Sequence, residues 1–207
     1  MACLKVLRYI METNDQYNTL SEDVAEGFYS EKRSKFYAFA FHVETEEQVH
    51  DIVQTYRKRF YDARHVCYAF MLGADGALSR TNDDGEPSST AGKPILGQIV
   101  KNGLTDVLII VVRYFGGVKL GTGGLIVAYK AAAADALEHA VVETRLVEEN
   151  ITFDFSYIMM NDVMKVVKDM KPTIVSQTFD NTCQVVLRIR KTMAPQLKKR
   201  LEMLAFQ

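Results

Sequence analysis

Apolar and polar positions along this chain follow two periods, and the changes of period mark its elements. Phe36 to Val43 (FYAFAFHV), with Lys32, Arg33 and Lys35 just before it, is an aromatic-rich run of the kind that forms a buried strand. Thr45 followed by Glu46, Glu47 and Gln48 predicts a capped helix start, after which Val49, Ile52, Val53 and Tyr56 recur at helical spacing towards Phe60. His65 to Leu72 (HVCYAFML) reads as a second strand and Gly73 to Gly76 as a turn. Val107 to Val112 (VLIIVV) is unbroken and apolar, the pattern of a central strand covered on both faces. A helix from Gly124 to His139 follows, its Ala131 to Ala134 run small enough for close packing on a sheet. Asn14 to Ser30 is acidic and turn-rich and reads as a lead-in arm, while Ser79 to Lys93 reads as a polar surface loop ordered by its own side chains. Pro94 suits the first position of a helix running to Asn102, closed by Gly103.

Beyond His139 the order changes. Arg145 to Ser156 reads as a strand, Met159 to Met170 as a helix, Thr173 to Phe179 and Cys183 to Ile189 as strands joined by an Asp180-Asn181 turn, and Ala194 to Leu204 as a helix. That β-α-β-β-α order is most of a ferredoxin-like split unit. The expected class is therefore α+β in two domains: an extension at 1–14 with an alternative start at Met11, a first domain at 15–142 with β-α-β units on a mixed sheet, and a ferredoxin-like domain at 143–207.

Composition narrows the partners. With 25 basic and 26 acidic residues the chain has no global pull towards nucleic acid or an anionic membrane, so such binding has to come from a local patch. Cys3, Cys67 and Cys183 form no CxxC pair and no histidine stands at zinc-ligand spacing, which points to a reduced, cytoplasmic setting with no metal or cofactor. The opening MACLKVLRYIM lacks a cleavage site, and no apolar run approaches the roughly 20 residues that span a bilayer. A monomer is the favoured state.

The candidate chemistry gathers around RYFGGVKLGTGGL. Glycines Gly116, Gly117, Gly121, Gly123 and Gly124, between a strand and a helix, leave backbone N–H groups open to an anion, and the helix dipole adds positive potential. The stretch matches neither GxGxxG nor a P-loop, and the glycines equally suit a tight turn and close helix–sheet contact. Arg113, Lys119 and Lys130 supply cations suited to a phosphodiester backbone or an acidic protein face. Bordering them, the loop residues Asp83, Asp84, Gly85, Glu86, Pro87, Ser88 and Lys93 offer three carboxylates for a cation or acid–base work, or else for turn chemistry around Gly85. His65 and Cys67 share a strand face, either as a nucleophile pair or, for Cys67, as core. A secondary basic patch is expected from Arg188, Arg190, Lys191, Lys198, Lys199 and Arg200 on one face.

EKRSKFYAFAFHV at Glu31, ARHVCYAF at Ala63, DDGEPSSTAGKPIL at Asp83, VVRYFGGVKLGTGGL at Val111 and AYKAAAADAL at Ala128 resemble, in that order, the IMPACT family. The resemblance implies a first domain with the fold of the second domain of a small-subunit ribosomal protein, and a second similar to the last domain of elongation factor G. Both kinships suggest a partner that is RNA or a ribosome or translation-factor component. Many members have Arg where this chain has Val127, and Ser89 stands where Gly is common, implying no positive φ there. The expectation is a non-enzymatic, translation-associated binding protein. The alternative is a small-molecule enzyme holding a nucleotide or phosphate on the glycines, with Asp83, Asp84 or Glu86 as base or metal ligand. The binding reading expects amides and two or three cations facing outward around an anion-sized gap behind the central strand, and fails if that gap is filled by the protein's own side chains with Arg113 tied to a carboxylate.

Overall fold

The computed structural model describes residues 15–179 and 183–204. The 1–14 extension, its alternative start and the Asp180-Asn181 turn lie outside the described residues. Two compact units emerge: Tyr17–Arg145, and the chain from Leu146 onward joined by Asp15 and Gln16.

The first unit is built on a five-stranded sheet of order β2-β3-β6-β4-β5. Its strands are β2 (Ala25–Glu31), β3 (Ser34–His42), β4 (His65–Leu72), β5 (Leu78–Asn82) and β6 (Val107–Tyr114), while β1 (Gln16–Leu20) pairs with β7 (Val142–Leu146) in a separate two-stranded sheet. Every pairing in the five-stranded sheet is antiparallel, which corrects the expected mixed sheet. The helices follow strands without making parallel crossovers. β6 is central and fully covered: Val107, Ile109 and Val111 face one core, Leu108, Ile110 and Val112 the other. Helix α1 (Glu46–Arg59) covers the second core through Val49, Val53 and Tyr56, and starts with the capping box expected of Thr45 and Gln48. Helices α2 (Gly92–Lys101) and α3 (Gly121–Glu138) cover the first.

Two expected irregular segments are strands. β1 and β2 occupy the lead-in arm, and β5 opens the polar loop. Both β2 and β5 are edge strands of mostly half-exposed and exposed positions, Phe28 of β2 included, so no strong period marks them. β2 also carries Gly27 because α3 runs against it: a Cβ there would stand 2.2 Å from the Ala136 nitrogen. The alanine-rich face of α3 thus packs directly on backbone, burying Ala132, Ala133 and Ala136.

In the second unit, β8 (Glu148–Phe155), a 3-10 turn (Tyr157–Met159), α4 (Met160–Met170), β9 (Thr173–Phe179), β10 (Cys183–Arg190) and α5 (Ala194–Leu204) follow one another. The sheet order is β8-β10-β9, both pairings antiparallel, the split β-α-β arrangement. Val185, Leu187 and Ile189 of β10 form one core with Val163 and Val167 of α4 and Leu197 and Leu201 of α5.

Candidate functional site

Sheet register brings the site together. Arg113, near the end of β6, stands directly opposite His65 of β4 on one side and Phe36 of β3 on the other. It continues the series Val107, Ile109, Val111, so its side chain turns towards the α3 face. There only 5% of Arg113 is exposed, and its Nη1 donates to Glu86 Oε1 at 2.5 Å. Tyr129 of α3 donates its hydroxyl to the same oxygen at 2.8 Å, and the Cys67 thiol donates to Tyr129 at 3.3 Å. The guanidinium also lies over the rings of Phe36 and Phe115, 5.5 and 5.6 Å from their centroids. Burial pushes the Cys67 thiol and the Tyr129 phenol well above their ordinary ranges, so neither is a nucleophile at neutral pH. Cys67 belongs to the core. His65 sits at the same end, its Nδ1 2.7 Å from the Asp84 carbonyl. A carbonyl only accepts, so Nδ1 carries a proton, and Nε2 stands 3.8 Å from Glu86 Oε1.

The acidic loop divides its labour. Asp83 Oδ1 accepts from the amides of Ala91 (3.0 Å) and Gly92 (2.8 Å), and Oδ2 from Ser89 (2.8 Å). Burial raises the Asp83 pKa, yet these three amides and Lys93 outweigh it and hold the group below its usual range. Asp83 thereby caps α2 from a distance, which is why that helix starts at Gly92 and not at Pro94. Asp84 accepts from the Val66 amide at 2.7 Å and from Arg57 Nη2 at 2.6 Å, pinning the loop to β4 and α1. Asp83 and Asp84 are thus occupied by the protein itself, the turn-chemistry outcome. Ser89 has φ +66°, correcting the expectation drawn from its lack of a glycine; the amide held by Asp83 fixes that turn.

A cavity of about 470 Å³ opens above Arg113 and Glu86, lined also by Arg64, His65, Pro87, Phe115, Lys119, Leu120, Gly121, Thr122 and Leu125. The expected outward, free Arg113 is therefore overturned, since it is buried and tied to Glu86, while the gap itself stays open. Of the expected residues the cavity gathers Arg113, Lys119, Gly121, Glu86 and Pro87. α3 begins at Gly121, earlier than expected, with no side-chain cap at Leu120, so its first amides meet the cavity without an internal acceptor from that residue. Gly123 and Gly124 lie inside the helix and Gly117 serves a turn at φ +86°. Gly116 is structural: a Cβ there would stand 2.1 Å from the Arg33 carbonyl carbon. Lys130 is exposed on α3 but absent from the cavity wall, about 13 Å along the helix from its start. Gly85, Ser88 and Lys93 also fall outside it. Sequence reasoning missed Arg64, Phe115 and Thr122, although Arg64 immediately precedes the strand that carries His65.

The secondary basic patch does not form one face. Arg188 and Arg190 alternate with the buried Leu187 and Ile189, so they lie on the sheet face away from the core. On α5, Lys198 pairs with Glu149 (2.5 Å) and Arg200 with Asp169 (2.8 Å). Lys191 and Lys199 are exposed. Among the described residues no three His, Cys, Asp or Glu side chains are placed to hold a metal ion, and no helix is long and apolar enough to cross a membrane.

The Impact N-terminal domain family matches residues 32–137. The chain belongs to the IMPACT family. It is 32% identical to the IMPACT family member YigZ of Escherichia coli over 160 residues, covering 76% of this chain and 78% of YigZ. It is 41% identical to YvyE of Bacillus subtilis over 116 residues, spanning about half the length of that relative (54%) and 56% of this chain. A crystal structure described as that of a hypothetical protein superposes with a TM-score of 0.72 at 26% identity, covering 90% of this chain and 91% of that one. All residues lining the cavity fall inside the IMPACT match, whereas the basic residues from Arg188 to Arg200 fall outside it.

Proposed function

We propose that this IMPACT family chain is a translation-associated binding protein that holds an anionic group, a phosphate of RNA, in the cavity at the head of α3. The observation that carries the reading is the convergence on that cavity of Lys119, Arg64 and the uncapped amides of an 18-residue helix. Glu86 does not oppose an anion there, because its charge is matched by Arg113. Arg64, Arg113 and Lys119 stand against Glu86 alone among the charged residues that line the cavity. The translational setting rests on the family resemblance, which implies a likeness to a ribosomal protein domain and to elongation factor G. Fixed positions for Asp83 and Asp84 favour binding over an acid–base role for that loop.

Filter binding of ribosomal RNA across a salt series tests this with an Arg64→Ala, Lys119→Ala variant. Arg113 is left intact because it is part of the core. Affinity should fall about tenfold or more, and the slope of log affinity against log salt should flatten by about two phosphate contacts. Unchanged affinity and slope in the variant would remove the cavity as the RNA site.

A further inference from the structure

The walls of the cavity say more about its occupant than that it is an anion. Three chemistries are separated in space. At the rim stand the cations Arg64 and Lys119 and the first amides of α3 at Gly121 and Thr122. On the floor, both hydrogen bonds accepted by Glu86 go to Oε1, from Arg113 and Tyr129. That leaves Glu86 Oε2 as an acceptor on the same wall as His65, whose Nε2 stands 3.8 Å from Oε1 and whose other ring nitrogen is committed to the Asp84 carbonyl. Along the side lie Pro87, Leu120, Leu125 and Phe115, the last 48% exposed although its ring is large and apolar. Arg113, at the junction of these regions, has its Nε–H buried without a partner, a state found for no other side-chain nitrogen or oxygen among the described residues. An orphaned donor on a side chain that is 5% exposed is costly, and here it belongs to a residue that lines the cavity.

We infer that the cavity takes one phosphorylated ribonucleotide: phosphate on Lys119, Arg64 and the start of α3, ribose hydroxyls on Glu86 Oε2 and His65 Nε2, base against Phe115. A bare phosphate uses only the rim. An internal stretch of RNA has its 3′-oxygens esterified and offers no cis-diol, and a cavity of about 470 Å³ is in the range of small-ligand pockets. Glu86 Oε2 and His65 Nε2 on the floor suit two neighbouring hydroxyls, each able to donate or accept, which a ribose cis-diol supplies and a deoxyribose does not. The half-exposed Phe115 offers the face on which a flat base stacks. This inference rests on the anion-binding reading above and specifies its ligand. A free ribonucleoside 5′-monophosphate presents all three parts, whereas the 5′-phosphorylated end of an RNA chain presents phosphate and base but only a 2′-hydroxyl, its 3′-oxygen being esterified.

Titration calorimetry on the full chain tests it with AMP, UMP, dAMP, adenosine, ribose 5-phosphate and inorganic phosphate. AMP or UMP should bind about tenfold or more tightly than adenosine, ribose 5-phosphate, dAMP and inorganic phosphate, since each of these lacks at least one of the recognised groups. Phe115→Ala should weaken the nucleotide about fivefold or more and leave ribose 5-phosphate unchanged, while Lys119→Ala weakens both. Circular dichroism of the two variants, both altered at exposed positions, shows that the fold is retained. A 5′-phosphorylated oligoribonucleotide lacks the cis-diol and should compete about tenfold or more weakly than AMP does for itself, and equal competition that is lost in its 5′-hydroxyl twin overturns the diol contact. If neither oligonucleotide competes but AMP binds, the source is the free nucleotide. Nucleotides that bind no better than inorganic phosphate, or are indifferent to Phe115→Ala, overturn the inference. In that case ribosomal RNA binding that still depends on Arg64 and Lys119 leaves the anion-binding reading standing, and its loss removes both.

Discussion

Arg113 and Glu86 form an ion pair at 2.5 Å with both side chains more than nine-tenths buried. Taking either partner away strands a charge in the core, so Glu86→Leu should destabilise the protein by about 3–5 kcal/mol. Replacing the whole polar group by apolar residues of similar volume (Glu86→Leu, Arg113→Met and Tyr129→Phe together) should restore most of that loss. Urea unfolding of the single and triple variants measures both. A triple variant as unstable as the single would mean that the pair stabilises the fold outright rather than holding a polar site in an apolar surrounding.

Glycines at two positions should respond in opposite directions to alanine. At Gly27 the added Cβ meets the α3 backbone at 2.2 Å, so helix and sheet must separate, and a loss of about 3 kcal/mol or more is expected. At Gly97, exposed in the middle of α2, the Cβ meets nothing within 4 Å. There alanine should stabilise by about 0.5–1 kcal/mol through helix propensity alone. Thermal melts of the two variants give the signs directly.

The parts of this fold that were legible in the sequence are those whose burial writes a period. β3, β4, β6 and α1 each present one or two apolar faces, and the Thr45 capping box marks a helix start unaided. β2 and β5 escaped because edge strands carry mixed, half-exposed positions, and Gly27 was placed by α3, more than 100 residues away in the chain, not by its neighbours. The start of α2 was misjudged for the same reason: its cap is Asp83, across a loop instead of adjacent to the helix. In the site, Lys119 and the helix start at the glycines could be foreseen locally. The pairing of Arg113 with Glu86, and the arrival of His65 opposite Arg113, depend on strand register and loop packing, which no local pattern encodes.

Cys67 should behave as a core atom. Its thiol is inaccessible, bonded to Tyr129 and to the Asp83 carbonyl, and burial raises its pKa. In the native protein at mildly alkaline pH, iodoacetamide should leave Cys67 unlabelled, and labelling should appear only once concentrated urea unfolds the chain. Peptide mapping by mass spectrometry reads this site by site. Rapid native labelling would show that the β4 end of the cavity opens on its own.

Asp83 makes the stability of the first unit depend on acid. Burial alone would raise its pKa, but the amides of Gly92, Ser89 and Ala91 outweigh burial and leave the folded-state value below that of the unfolded chain. A depressed carboxyl pKa contributes stability that is fully present above the ordinary aspartate range, and that contribution fades as pH falls through the folded value. Asp83→Ala, which removes all three acceptor contacts and the cap of α2, should therefore cost about 2 kcal/mol at neutral pH. The difference from wild type should shrink steadily on acidification, because protonation weakens the same contacts in the parent protein. Urea unfolding of both proteins from neutral pH down through the carboxylate range follows that convergence. Parallel curves with a constant offset would show that Asp83 acts through its shape alone, and that its charge contributes nothing to holding the loop beneath the cavity.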